Sequence, residues 1–216
     1  MRPSLFIITG SNGAGKSTVG ASYLPSEIQS NYTVFDGDKL SSDKRRELYP
    51  AFTRSIKEAK RLADEWLDEF FRQQVKVALE KKDHFAYEGH FRSSNPLNVP
   101  RKFKKHGYYL SLIFMGLTDP YQSQLRVIDR AKYGGHNVPP YDIEANFYGN
   151  LRMLNTNFKL FNEVVIIDTS KSLEHNILLH LRNSEVIFYA RQKDQPDWFS
   201  EFLPNLVSLI IAEENN

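Results

Sequence analysis

The first residues that could do chemistry are those of GSNGAGKST, residues 10–18, where three glycines precede one lysine and two hydroxyl side chains. Residues 10–17 match G-x-x-x-x-G-K-[ST], a loop whose backbone N–H groups surround phosphate oxygens. In such a loop Lys16 would neutralise the β- and γ-phosphates, Ser17 would bind Mg²⁺ and Thr18 would support the α-phosphate. The motif therefore predicts an ATP site made by Gly10, Ser11, Asn12, Gly13, Ala14, Gly15, Lys16, Ser17 and Thr18.

Three carboxylates and a histidine follow apolar runs further along the chain, where they could act on a phosphoryl acceptor. In FDGD, Asp38 is our candidate general base, and Asp36 would contact the acceptor side or hold Mg²⁺ through water. The alternative is that either aspartate caps the next helix or forms a turn. In FAYEGHF, Glu88 would orient the acceptor or a metal-bound water, unless it faces solvent in a turn at Gly89. His90 is a further candidate for acceptor binding, and its alternative is a structural histidine.

Two arginines four residues apart, Arg126 and Arg130, share one face of a predicted helix. They could close over the phosphates as a lid, because a transition state with charge spread over phosphoryl oxygens gains most from such donors. The alternative is an exposed basic face paired with Asp129 or other acids. The GGHNVPP stretch that follows, residues 134–140, is typical of a hinge, with an ordinary turn between helices as the alternative.

Short apolar runs alternate with longer amphipathic patterns. Strands are predicted at 5–9, 33–38, 84–91, 108–117, 164–168 and, at an edge, 185–189. Helices are predicted at 16–24, 52–82, 96–106, 120–133, 141–161 and 203–212. This order is typical of an α/β fold with a mostly parallel sheet, whose carboxyl strand ends share one side and bind ligands there. We expect one domain over residues 1–216.

The composition restricts the partners. A chain of 216 residues is long enough for one substantial core, and its formal net charge of +2 gives no case for nucleic acid or a membrane as the main partner. The absence of cysteine excludes disulfides and thiolate metal sites and is compatible with a reducing cytoplasm. MRPSLFIITG predicts a strand rather than a signal peptide, and no apolar run approaches the roughly 18 residues of a membrane span. We expect a cytoplasmic protein with a small-molecule phosphoryl acceptor.

In order as well as in motif, these segments resemble the zeta toxin-like P-loop kinases. The matching segments, between residue 4 and about residue 170, are GSNGAGKST, DGD with Tyr49 and Pro50, FAYEGH, LIFMGLTDP, RVIDR with GGHNVP, and LRMLN. The resemblance implies a P-loop kinase-like three-layer sandwich with a helical lid at about 120–140. It also implies ATP/Mg-dependent phosphorylation of a small-molecule hydroxyl, which in the toxins proper belongs to the sugar of UDP-N-acetylglucosamine.

The resemblance assigns roles to individual residues. It places Lys16 on the phosphates, makes Asp38 the base and Glu88 an acceptor ligand, and puts Arg126 and Arg130 in the lid.

Two positions depart from the family pattern. His90 stands where a hydroxyl residue is usual, and DIEANF, residues 142–147, lacks the arginine often found there, which Arg152 could replace. Both positions concern the acceptor, whose identity the sequence leaves open.

Two other classes of function remain. A P-loop ATPase that drives a partner would need a water-positioning residue and a switch that senses the γ-phosphate, and no Asn-Lys-x-Asp motif supports GTP. A nucleotide-binding interaction module, or a toxin held silent by a small antitoxin-like protein partner, would bind ATP without turnover.

Overall fold

The computed structural model describes residues 2–132, 138–171 and 174–215, and the elements given below are those of this part of the chain. The strands are β1 Ser4–Gly10, β2 Phe85–Glu88, β3 Tyr109–Gly116, β4 Glu163–Asp168, β5 Asn176–Arg182 and β6 Glu185–Tyr189. They form one six-stranded sheet in the order β2-β1-β3-β4-β5-β6. The first four strands are parallel and the last two join antiparallel, which confirms the mostly parallel α/β sheet.

Helices flank this sheet. They are α1 Lys16–Val19, α2 Ser26–Asn31, α3 Gly37–Leu48, α4 Ile56–Lys81, α5 Asn98–Lys105, α6 Pro120–Lys132, α7 Pro140–Asn157, α8 Asp197–Phe202 and α9 Pro204–Glu214. Helix α7 contacts β1, α8 and α9, so it lies directly behind the strand that leads into the glycine-rich loop. Within the described ranges, no helix combines the length and apolar character needed to cross a membrane.

The central strands form because their apolar runs are buried on both faces. Every residue of β1 is buried, and in β3 only the first residue is partly exposed. Continuous apolar runs of this kind are typical of parallel strands covered by helices on two sides. The predicted strands at 5–9, 108–117, 164–168 and 185–189 are confirmed, the last as the β6 edge strand.

The predicted strand at 33–38 is wrong. Only Phe35 pairs with the sheet, through an isolated parallel bridge to Tyr87, and α3 begins at Gly37. The reason is local, because the Asp36 carboxylate accepts a hydrogen bond from the Lys39 N–H at 3.0 Å and thereby caps the helix. Asp38 consequently lies in the first turn of a helix and not at a strand end.

Two helices are also shorter than predicted. The helix after the glycine-rich loop ends at Val19, and a 3-10 turn at Gly20–Tyr23 completes the expected segment before Pro25. The long helix begins at Ile56 and not at 52, because the Ser55 hydroxyl caps it by accepting from the Glu58 N–H at 3.2 Å. The polar segment before it forms α3, which the apolar periodicity did not indicate.

Strand β5 was not predicted. It pairs with β6 through a tight turn at Asn183 and Ser184, whose φ angles are +50° and +70°. Consecutive positive φ angles are typical of the two-residue turns that match the twist of a hairpin. An Asn-Ser pair between two apolar runs was therefore the sequence signal for this hairpin. The predicted hinge at 134–140 falls mainly on residues 133–137, which lie outside the described residues.

Candidate active site

The glycine-rich loop begins where β1 ends, and its first glycine is required by lack of space. Gly10 has a φ of +135°, and a Cβ added there would lie 2.0 Å from the carbonyl oxygen of Met115 on β3. Gly15 precedes α1 with a φ of +90°, a left-handed conformation that side chains other than glycine adopt only at a cost. The backbone can turn sharply between these two positions because neither carries a side chain.

Side chains hold the carbonyl groups of five consecutive loop residues, 10–14. The bonds are Lys16 Nζ to Gly10 O (3.1 Å) and Ser11 O (2.9 Å), Ser123 Oγ to Asn12 O (2.5 Å), Arg126 Nη1 to Gly13 O (3.3 Å), and Thr169 Oγ1 to Ala14 O (2.9 Å). In a planar trans peptide the N–H points away from the C=O, so each held carbonyl also fixes the direction of the N–H that follows it. The N–H of Ala14 closes a turn onto Ser11 O at 3.3 Å. Backbone held in this way is the kind from which anion-binding loops are made.

The loop meets four of the other residues singled out in the sequence, Asp38, Glu88, Arg126 and Arg130, in one cleft of about 270 Å³. Its lining comprises Asn12, Gly13, Gly15, Lys16, Ser17, Thr18, Asp38, Glu88, Arg126 and Arg130. Five parts of the chain contribute to it, namely the loop, α1, α3, β2 and α6. The sheet topology explains this convergence, because parallel strands deliver their carboxyl ends and the following loops to one side.

Opposite charges are close together in the cleft. The Ser17 hydroxyl donates to Glu88 Oε2 at 2.7 Å. Burial raises the pKa of Glu88 to about 6, with Asp36 and Asp38 raising it further, while the Ser17 hydrogen bond and Lys16 oppose the rise. Burial lowers the pKa of Lys16 to about 8, against the attraction of Glu88 and Asp38. The pKa values of both groups are therefore closer to 7 than those of the free side chains. A bound polyphosphate would favour the charged form of the lysine.

The two aspartates of FDGD have different positions. Asp38 is exposed and lines the cleft from the first turn of α3. Asp36 does not line the cleft, and its carboxylate is engaged in capping α3. The geometry therefore gives no support to Asp36 as an acceptor ligand, although its charge reaches both Lys16 and Glu88.

The two arginines of α6 also differ. Arg126 bridges two loops, donating to Gly13 O at 3.3 Å and to Ser170 O at 2.7 Å, and burial lowers its pKa while Asp168 opposes this. Arg130 is exposed one turn further along and lines the same cleft. Arg126 is thus placed to fix the loop, and Arg130 is placed nearer the solvent side of the cleft.

His90 lies next to the cleft without lining it. Its Nδ1 is 3.4 Å from Nδ2 of Asn150, a buried residue of α7. Burial lowers the pKa of His90 well below its ordinary value, the cations Lys16 and Arg130 add to this, and a hydrogen bond to Gly10 opposes it. This position does not support His90 as a direct acceptor ligand. Arg152 is exposed and does not line the cleft, so its position gives no support to a role in place of the missing arginine.

Several side chains that hold the loop were missed in the sequence. Besides Ser123 and Thr169, they include Asn146, whose Nδ2 donates to Asn12 Oδ1 at 2.9 Å. Asn146 and Asn150 are buried polar residues one turn apart on α7, among buried apolar neighbours. Two asparagines at this spacing on an otherwise apolar helix face were the available signal, and Asn146 stands within DIEANF.

The residues fit magnesium that arrives with a nucleotide. Among the described residues, no cluster of three or more histidine and carboxylate side chains could hold a metal ion alone. Mg²⁺ prefers oxygen ligands and is usually bound through few protein groups, several waters and substrate phosphates. Ser17 would supply such an oxygen, and Glu88, whose Oε2 accepts from the Ser17 hydroxyl at 2.7 Å, would lie close enough to hold a bound water.

Comparisons with known proteins agree with this geometry. The family model described as zeta toxin matches residues 1–194. The chain is similar to a structure of the PezAT chromosomal toxin-antitoxin system of Streptococcus pneumoniae, with 19% identity and a TM-score of 0.55 over 99% of this chain and 85% of that one. It is also similar to AvrRxo1-ORF1:-ORF2 with ATP, with 13% identity and a TM-score of 0.64 over 94% of this chain and 64% of that one. With sulphate ions, the same complex gives 14% identity and a TM-score of 0.64 over 99% and 71%.

No curated protein sequence matches the chain significantly. At the identities of the solved structures, the likeness shows the fold alone, which is that of the P-loop kinases. The family match also shows the family of the chain, because the family model extends over most of its length, residues 1–194. The chain belongs to the zeta toxin family.

Proposed function

We propose that this chain is an ATP- and Mg²⁺-dependent kinase that phosphorylates a hydroxyl group of a small molecule. Membership of the zeta toxin family and the P-loop kinase fold support a kinase-type phosphotransferase in general. The observation that carries the proposal is the single cleft in which Asp38, Glu88 and Arg130 face the phosphate loop.

On the nucleotide side, the loop N–H groups and Lys16 bind the phosphates of ATP. Lys16 donates to Gly10 O and Ser11 O beside the phosphate loop, so it needs only to turn its ammonium toward the phosphates to neutralise them. Ser17 is the residue that would hold Mg²⁺ beside the nucleotide. When bound, Mg²⁺ supplies positive charge that stabilises the leaving ADP oxygen.

On the acceptor side, the acceptor oxygen forms a bond to the γ-phosphorus as the bridging P–O bond to the β-phosphate breaks. The acceptor proton passes to the exposed Asp38 carboxylate, and ADP leaves with the bond's electron pair. Glu88 orients the acceptor from the end of β2, and Arg130 stabilises the charge that spreads over the transferred group. Arg126 supports the same loop from behind.

The acceptor class follows from the family resemblance, which favours a nucleotide sugar such as UDP-N-acetylglucosamine. The test is incubation with ATP labelled at the γ-phosphate and a panel of sugars, nucleotides and nucleotide sugars. We expect transfer to one class and a loss of about 100-fold or more in Asp38→Asn. Asp43→Asn is the matched control, because Asp43 lies on the same helix, exposed and paired with Arg46. Undiminished transfer by Asp38→Asn would remove the assigned base.

We also propose a small protein partner, on the ground that the similar structures are named as a toxin-antitoxin system and as a two-protein ORF1:-ORF2 complex. Copurification of a small protein that suppresses transfer would support it. Steady ATP hydrolysis without an acceptor would instead favour an ATPase, and ATP binding without turnover would favour an interaction module. The absence of cysteine is compatible with the proposed cytoplasmic location.

A further inference from the structure

Asn150, on α7 behind the cleft, uses every hydrogen-bonding position of its carboxamide. Its Oδ1 accepts from the Thr9 hydroxyl at 3.1 Å and from the Phe91 N–H at 2.5 Å. Its Nδ2 donates to the Asn146 carbonyl at 2.6 Å and to His90 Nδ1 at 3.4 Å. The residue is 1% exposed, so these four partners saturate the two donors and two lone pairs of an amide. Its orientation is therefore fixed, since a flipped amide would set donors against the Phe91 N–H.

This orientation decides where His90 carries its proton. Because the amide nitrogen of Asn150 faces Nδ1, that ring nitrogen must accept, and the proton of the neutral imidazole lies on Nε2. The backbone of Gly10, the first residue of the phosphate loop, raises the pKa of the ring, but less than burial lowers it. Lys16 and Arg130, the cations that face the ring, disfavour a second proton.

Three of the four partners of Asn150 lie on two chain segments that adjoin the cleft. Thr9 immediately precedes the phosphate loop, whereas His90 and Phe91 belong to residues 88–91, which we call the acceptor segment because it starts at Glu88. The neighbouring Gly149 lets α7 approach this side closely, since an added Cβ would lie 2.8 Å from the backbone of Arg92. Through Asn146, the same helix also holds the side chain of Asn12 inside the loop.

We propose that Asn150 is a positioning residue that holds Thr9, before the phosphate loop, and the acceptor segment in a fixed relative position, and that it fixes His90 as the neutral Nε2–H tautomer. Asn150 touches neither substrate in this arrangement and acts through His90, Phe91 and Thr9. The kinetic part of this inference rests on the proposed kinase function, whereas the tautomer of His90 does not depend on it.

The tautomer is tested by heteronuclear NMR of the wild-type protein with isotope-labelled histidine at neutral pH. The chain has six histidines, and the His90 signal is identified by its disappearance in His90→Gln. We expect the neutral Nε2–H pattern for His90. A neutral Nδ1–H ring or an imidazolium would overturn the inference, whether or not the protein is a kinase.

The positioning role is tested with Asn150→Asp, which keeps the shape of the side chain and its acceptor oxygen but removes its two N–H donors. We expect a proton to move to Nδ1 of His90 beside the new carboxylate, and kcat to fall about 10- to 100-fold with a smaller change in the KM for ATP. Asn155→Asp on the same helix is the matched control. The Asn155 Oδ1 accepts from the Asn205 N–H at 2.9 Å, and an aspartate keeps this acceptor. It should leave both the His90 signal and kcat unchanged.

A folded Asn150→Asp protein with the wild-type His90 signal and wild-type kcat would refute the positioning role. Should this variant not fold, Asn150→Ser, which keeps a donor and an acceptor, repeats the comparison, and the wild-type spectrum still decides the tautomer. If the wild type transfers no phosphoryl group to any acceptor, the proposed function fails, while the spectra continue to confirm or overturn the link between Asn150 and His90.

Discussion

Thr169→Val removes one hydroxyl beneath the phosphate loop and little else. Thr169 is 1% exposed, and its Oγ1 lies 2.9 Å from both Ala14 O in the loop and Gly116 O at the end of β3. Gly116 O also accepts from the Thr169 N–H at 3.0 Å, a bond that the valine keeps. The Ala14 carbonyl, in a residue that is 1% exposed, is therefore left without its hydrogen-bond donor.

The expected cost follows from that buried carbonyl. Leaving a buried acceptor without its donor costs about 1–3 kcal/mol, and valine nearly preserves the volume of threonine, so no cavity adds to it. In a domain of this size the loss corresponds to a Tm lowered by about 2–12 °C. Because the Ala14 carbonyl is then free to rotate, the neighbouring N–H loses its orientation toward the phosphates. We expect the Kd for ATP to rise by about tenfold or more, the value of one charge-assisted hydrogen bond.

Two assays check these figures. Urea denaturation gives the change in unfolding free energy, and calorimetric titration with ATP and magnesium gives the Kd. Thr156→Val is the matched control, because the Thr156 hydroxyl is exposed and bonds only groups of its own helix. It donates to Arg152 O at 2.8 Å or Met153 O at 3.4 Å, and it accepts from Asn157 Nδ2 at 2.7 Å. We expect it to change stability by less than about 0.5 kcal/mol. Equal stability and equal ATP affinity in Thr169→Val and wild type would refute the claim that side chains hold the loop carbonyls.

Two further predictions concern the fold around the cleft. Burial raises the pKa of Glu88 from 4.5 in the unfolded chain to about 6 in the folded one. The protonated carboxyl group therefore contributes fully to stability below pH 4.5, and this contribution is lost as the pH rises through 6. Glu88→Gln should flatten this part of the profile of unfolding free energy against pH, measured by denaturation at successive pH values. An unchanged slope in the variant would contradict the burial of that carboxyl group. Gly10→Ala should cost about 2–5 kcal/mol in urea denaturation, because the new Cβ meets the Met115 carbonyl in a left-handed conformation. Wild-type stability of Gly10→Ala would show that the loop does not pass this close to β3.

The sequence was informative where a pattern has a short-range physical cause. The spacing of Gly10, Gly15 and Lys16 predicted the loop, since glycines are needed for the turn and the lysine for the phosphates. Continuous apolar runs predicted the buried strands, because only strands covered on both faces need them. The side of the sheet on which Asp38 and Glu88 lie followed from the parallel order of those strands.

The features of the fold and the cleft that the sequence did not predict depend on helix caps and on contacts between distant segments. The apolar pattern places Asp38 at a strand end, because apolar periodicity contains no information about helix caps. In the structure the Asp36 carboxylate caps α3, and this local hydrogen bond replaces strand pairing. Asn146 and Asn150 are single polar residues on a helix, and only the packing of α7 behind β1 makes them partners of the loop. The chemical roles of the cleft residues stay predictions, which the variants above are designed to test.

The central claim is that the loop binds the phosphates of ATP together with magnesium through its N–H groups and Lys16. Calorimetric titration of the wild type with ATP, with and without magnesium, tests it most directly when paired with Lys16→Met. We expect saturable binding that requires magnesium and is weakened about 100-fold or more without the ammonium group. No heat of binding in the wild type, or equal affinity in Lys16→Met, would contradict the account.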